Sequence, residues 1–180
     1  MKVTPTAIPE VLILEPKVFP DERGMVFESY NRGAFADATG VDTVFVQDNR
    51  SVSKKGVLRG IHYQVVKPQG KLVQVLKGEI FDVAVDLRRS SPTFGKWIGF
   101  NLSDMNRRMA WIPPGFGHAL LALTDADVLY KMTEFWMPQH DRTVIWSDST
   151  IGVRWPLEGQ PIVSTKDARG VSFPKAELYS

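Results

Sequence analysis

The chain has 180 residues and no cysteine, with 43 % apolar and 23 % charged side chains. A formal net charge of +2 is too small to argue for a nucleic-acid partner, and the missing thiols exclude disulfides, thiolate metal sites and cysteine nucleophiles. The balance is that of a globular chain with a buried core and length for one domain, residues 1–180.

In chain order, the stretch "VLILEPKVFPDERG" reads as strand material interrupted by prolines, which suits a sheet edge. Those prolines and the flanking Glu10 and Glu15 argue against a signal peptide. No run approaches the roughly 20 apolar residues of a membrane span. A soluble, cytoplasmic protein with no membrane partner is expected. Asp21–Gly24 carries turn residues. "NRGAFADATG" is the one helical candidate, with Asn31 as its cap and Gly40 as its end.

Short strands follow. "LRGIHYQ" sets His62 between apolar residues. "KLVQVLKGEIFDVAVDLR" reads as two strands joined at Lys77–Gly78. In its second half Phe81, Val83, Val85 and Leu87 alternate with Asp82, Ala84 and Asp86, a period of two with one apolar and one small, acidic face. "KWIGFNLS", "MAWIPPG", "HALLALTD" and "DVLYKMTEFW" continue the pattern, punctuated at Pro113–Gly117 and Pro138–Asp141. From "DSTIGVRW" onward turn residues dominate, and the expectation is an irregular C-terminal segment packed on the rest. So many short strands with so little helix predict an all-β sandwich or barrel.

Only three histidines occur, at 62, 118 and 140. Barrels of the cupin type usually bind metal through two histidines one residue apart on a strand, plus a later one. Here Gln64 stands where the second of the pair belongs. His62 and His118 alone make a poor transition-metal site, so no metal is expected.

The segments "FPDERGMVFESY", "FVQDNRSVSKKGVLRG", "LRGIHYQ", "GKLVQVLKGEIFDVAVDLRRSSPTFGKW", "WIPPGFGHALLAL" and "VSTKDARG" together resemble the dTDP-4-dehydrorhamnose 3,5-epimerase family. The likeness runs from about Ile13 to Gly170. It implies a cupin-type jelly-roll barrel with a few short helices, a homodimer, no cofactor, and dTDP-4-keto-6-deoxy-D-glucose as substrate. By the same resemblance His62 is the proton-abstracting base, Asp167 orients it and Tyr130 is the proton donor. Arg23, Glu28, Gln47, Asn49, Arg59, Lys71, His118, Asp141 and Lys166 fall at substrate-contact positions. Trp136 replaces the tyrosine that stacks on the thymine in the family, and Asp141 replaces a glutamate. The resemblance, joined to the proline-interrupted strand, also predicts that "VLILEPKVFPDERG" adds to a partner's sheet.

The residue types suit the chemistry. A proton beside a ketone is acidic because the resulting enolate places its charge on oxygen. Histidine is a suitable base near neutral pH, a carboxylate can fix its tautomer, and a lysine can stabilise the oxyanion. Inversion needs a second acid on the opposite face of the sugar. Asp82 and Asp86 share one strand face and are alternative partners for His62. The competing functions are an epimerase for a single carbon or a ketoisomerase, and a sugar-binding jelly roll without catalysis.

Overall fold

The computed structural model describes all 180 residues. Its strands are β1 (Lys2–Pro5), β2 (Leu12–Glu15), β3 (Val18–Asp21), β4 (Gly24–Phe27), β5 (Gln47–Ser53), β6 (Leu58–Gln64) and β7 (Lys71–Lys77). They continue as β8 (Glu79–Asp86), β9 (Trp97–Ser103), β10 (Met109–Ile112), β11 (Phe116–Ala122), β12 (Ala126–Met132) and β13 (Asp141–Thr143). The α-helices are α1 (Arg32–Thr39) and α2 (Thr165–Ala168), and Pro138–His140 and Phe173–Lys175 form single 3-10 turns. No helix is long and apolar enough to cross a membrane.

Two antiparallel sheets face each other. One runs β1-β2-β10-β7-β12-β5 and the other β13-β6-β11-β8-β9. From β5 to β8 the chain changes sheet at each step, and it does so again from β9 to β13. This is the all-β jelly roll that the strand count and the family resemblance predict. Lys77–Gly78 is therefore a corner between sheets: β7 and β8 do not pair with each other.

The period of two explains the layering. On β8, Ile80 and Ala84 point between the sheets, where they meet Val73 and Val75 of β7, Leu120 of β11 and Val128 of β12. Val83, Val85 and Leu87 point the other way and are covered by Ile151, Phe173 and Ala176 of the C-terminal segment. The alternation is correctly legible as a strand, and its small, acidic face is the one turned into the barrel. A third cluster seats α1 on the outer face of the six-stranded sheet, with Phe35 edge-on to Trp111 at a centroid distance of 5.5 Å. That helix is capped as its sequence predicts: Asn31 accepts from the Ala34 N–H at 3.1 Å, and Gly40 closes the end at φ 72°.

Two expectations are corrected. The turn read over Pro113–Gly117 ends earlier, because β11 begins at Phe116. The segment expected to join a partner's sheet divides: β2 pairs with β10 and β1 of its own chain, and only the β3–β4 ribbon is free of both sheets. The apolar Leu12 and Leu14 find partners nearby, where their own core covers them.

Asp86, one of the two rival partners for His62, is committed elsewhere. Its fully buried carboxylate accepts from Arg88 Nη2 at 2.7 Å, Ser91 Oγ at 2.5 Å and Thr93 Oγ1 at 2.6 Å. Burial opposes its ionisation, and these bonds outweigh burial, holding the carboxyl at about 2 against an ordinary 3.8. A depressed carboxyl stabilises the fold above its unfolded value, and that stabilisation drains away as pH falls from the ordinary 3.8 toward about 2. Asp86→Ala is expected to cost about 1–3 kcal/mol in denaturant unfolding at pH 7, because Ser91, Thr93 and Arg88 lose their buried acceptor while Arg88 keeps its more exposed pairing with Glu10. A cost below about 1 kcal/mol, the scale of an exposed ion pair, would show that the network is only a surface contact.

Candidate active site

At one end of the barrel the inward positions turn from apolar to polar. Val73 and Val75 give way to Lys71 on β7, Val128 to Tyr130 on β12, and Leu120 to His118 on β11. These side chains line a cavity of about 460 Å³ together with His62, Arg59 and Asn49. Cavity and core are thus two halves of the same strands, divided by residue type.

His62 stands on β6 directly across from His118 on β11. The close fit of these strands depends on Gly60, whose φ of +121° favours glycine; an added Cβ there would lie 2.4 Å from Ala119 Cβ. The His62 imidazole Nε2 meets Asp167 Oδ1 at 2.5 Å. Asp167 is buried and rides on α2, whose cap Ser164 accepts from the Asp167 N–H at 3.0 Å. Burial works against its ionisation, but hydrogen bonds from His62, Ser164 and the Gly60 backbone prevail and hold the carboxyl below its ordinary value. An ionised partner on Nε2 favours the tautomer with the proton there, which leaves Nδ1 as the basic nitrogen.

The other rival, Asp82, belongs to His118: Nε2 of that ring meets Asp82 Oδ1 at 2.7 Å. The geometry therefore resolves three candidate acids into three separate duties. Burial pushes the His118 imidazole below its ordinary value, against the pull of Asp82. Its ring packs edge-on to Tyr130, with centroids 5.9 Å apart. Burial raises the Tyr130 hydroxyl, so it holds its proton at neutral pH. Lys71 is buried, which pushes its ammonium down to about 8, although the carboxylates of Asp141 and Asp82 favour the charged form.

Five predicted residues form a chain at the rim, beginning at Asn49. Gln47 Nε2 donates to Asn49 Oδ1 at 2.8 Å, and Gln47 Oε1 accepts from the Trp136 N–H at 2.9 Å. The Trp136 indole N–H points to Asp141 at 3.4 Å, and Lys166 pairs with that same carboxylate. Trp136 is 54 % exposed, so its ring has an open face. Arg23 and Glu28 do not line the cavity of their own chain: Arg23 is bonded to Asp21 at the tip of the β3–β4 ribbon, and Glu28 accepts from Asn31. Gln64, at the vacant metal-ligand position, uses its amide to hold the Lys67 and Phe135 carbonyls and the Met137 N–H.

The sequence reading missed the supporting hydroxyls. Ser51 Oγ lies 2.9 Å from Tyr130 Oη, and Ser53 Oγ accepts from Arg59 Nε at 3.0 Å. The signal was the alternation of Gln47, Asn49, Ser51 and Ser53 along β5, a polar stripe of period two on an edge strand.

Comparison with known proteins finds relatives along the whole chain. The sequence pattern described as dTDP-4-dehydrorhamnose 3,5-epimerase matches residues 5–175. A protein of that name from Salmonella typhimurium is 54 % identical over 180 residues, covering 99 % of this chain and 98 % of its own. Another from Pseudomonas aeruginosa is 52 % identical, covering 99 % of each. The dTDP-6-deoxy-D-glucose-3,5-epimerase of Legionella pneumophila, solved in complex with dTDP-4-keto-L-rhamnose, superposes with a TM-score of 0.96 at 44 % identity, covering 99 % of this chain and 97 % of that one. With a histidine, a tyrosine and a lysine converging on one jelly-roll cavity and likeness along its whole length, the chain belongs to the dTDP-4-dehydrorhamnose 3,5-epimerase family.

Proposed function

We propose that this protein inverts C3 and C5 of dTDP-4-keto-6-deoxy-D-glucose, giving dTDP-4-keto-L-rhamnose for dTDP-L-rhamnose synthesis. One observation carries the proposal: the two proton-transfer groups come from the two facing sheets, His62 from β6 and Tyr130 from β12, into one cavity. A sugar bound between them meets a base on one face and an acid on the other. His62, held by Asp167, removes the proton beside the ketone. The Lys71 ammonium stabilises the enolate oxygen, and Tyr130 returns a proton from the opposite side. Arg59 suits the diphosphate, through charge-assisted hydrogen bonds. No step calls for a metal or a cofactor.

Proton NMR of the substrate with the enzyme in heavy water tests the reading. Deuterium at both C3 and C5, in the presence of a chelator, is expected. Label at one carbon would make this a mono-epimerase, label at neither a binding module, and a loss restored by zinc, iron or manganese would overturn cofactor independence.

Trp136 stacks on the thymine in this reading, its indole held at the rim by Gln47 and Asp141. Trp136→Ala is expected to weaken dTDP binding by roughly 1–3 kcal/mol in calorimetry, the range for base–aromatic stacking. Turnover of bound substrate changes much less. An unaltered dissociation constant refutes the stacking.

The proposal includes a homodimer, each protomer one domain of residues 1–180. The β3–β4 ribbon exposes Phe19, Met25 and Val26 and pairs with nothing but itself. A ribbon that crosses to a second copy covers this apolar surface and carries Arg23 and Glu28 toward the neighbouring cavity. Sedimentation is expected to show a dimer at micromolar concentration; a monomer ends the idea. The reading is of a cytoplasmic enzyme, since a charged nucleotide sugar does not cross membranes unaided.

A further inference from the structure

The β5 stripe suggests a role for a residue that the proton-transfer scheme does not yet use. Gln47, Asn49, Ser51 and Ser53 alternate on one face, and each of three supports a different site residue: Gln47 holds the Trp136 backbone, Ser51 the Tyr130 hydroxyl, and Ser53 the Arg59 guanidinium. In the β5–β12 ladder Tyr130 lies opposite Asn49 and Val128 opposite Ser51. The Tyr130 hydroxyl therefore reaches Ser51 along the diagonal, a contact that long side chains make between antiparallel strands. Both residues line the cavity.

We propose that Ser51 is the positioning residue of the proton donor, its hydroxyl holding the Tyr130 oxygen toward the sugar and donating a hydrogen bond to the tyrosinate that forms when Tyr130 gives up its proton. This rests on the reading of Tyr130 as the donor. In the step the Tyr130 O–H bond breaks, a C–H bond forms at the enolate carbon, and the electron pair stays on the Tyr130 oxygen, facing the Ser51 O–H. Water then returns a proton to the tyrosinate and removes the one held by His62. The arrangement answers a specific difficulty. Burial disfavours a charged Tyr130, and Ser51 is the first influence opposing it. A hydrogen bond to a charged oxygen is stronger than one to a neutral hydroxyl, so it acts most at the transition state.

Ser51→Ala and Ser51→Thr, each alone and in a Tyr130→Phe background, make the test. Initial rates are read for inversion and for deuterium uptake at C3 and C5, with melting curves to establish folding. Ser51→Ala is expected to lower kcat for inversion roughly ten- to a hundredfold, as for a lost hydrogen bond to charge. KM stays unchanged, deuterium uptake falls less than inversion, and Ser51→Thr recovers most of the rate. In the Tyr130→Phe background Ser51→Ala should add nothing. Equal loss of uptake and inversion, a raised KM with unchanged kcat, or the same loss without the tyrosine hydroxyl would each overturn the assignment. Should Tyr130→Phe alone invert normally, the donor reading falls as well; should it lose inversion while Ser51→Ala is silent, only the role of Ser51 falls.

Discussion

His62→Ala is expected to abolish exchange of the C3 and C5 protons of dTDP-4-keto-6-deoxy-D-glucose with solvent, together with inversion. A positioned base contributes about 10²–10⁴-fold, and the loss should be at least that large because no enolate forms without it. In the proposed mechanism the cause lies in the built pair: Asp167, buried on α2, meets Nε2 at 2.5 Å, and the other nitrogen is the one assigned to the substrate. Tyr130→Phe keeps the ring that packs on His118 and removes only the acid. The enolate still forms and is reprotonated on its original face, so exchange continues while inversion falls. The two lesions differ in kind, and NMR in heavy water separates them. Complete loss of exchange in Tyr130→Phe would show that the tyrosine helps to generate the enolate.

Lys71→Met should be nearly as damaging and should carry a second signature. Removing one preorganised donor from a developing oxyanion costs about 10²–10³-fold in kcat. The ammonium is buried, and its pKa is pushed down from 10.5 to about 8. The enzyme therefore loses its cation as pH rises through about 8, and the wild-type rate should fall along that limb. Lys71→Met should lack that limb. The stability sign runs the other way. A cation whose folded pKa lies below its unfolded one weakens the fold while charged, and the penalty fades as pH rises from about 8 toward 10.5. Lys71→Met is thus expected to melt higher than wild type at pH 7, trading activity for stability. A variant that loses activity and also melts lower would mean that Lys71 is a structural residue.

Much of this protein was legible in the chain itself. Period-two runs such as Phe81–Leu87 mark strands because side chains alternate across a pleat. Asn31 and Gly40 mark the ends of α1 because each answers a local hydrogen-bonding need. The family motifs singled out His62, Tyr130, Lys71 and Asp167, and the fold brings all four together. Residue type and strand pattern alone did not show which acid serves which histidine: the family resemblance named Asp167 for His62, with Asp82 and Asp86 as rivals. Asp82, Asp86 and Asp167 are equivalent in composition, and two of them share a strand face. Only the tertiary structure divided them, because hydrogen bonding depends on distances of a few ångströms between strands far apart in sequence. It sent Asp82 to His118, Asp86 to the Arg88 turn, and Asp167 across 105 positions to His62. Likewise the direction of the acidic face of β8 was settled when the C-terminal segment covered the apolar one. Alternation identifies two faces, and only packing decides which of them is inside.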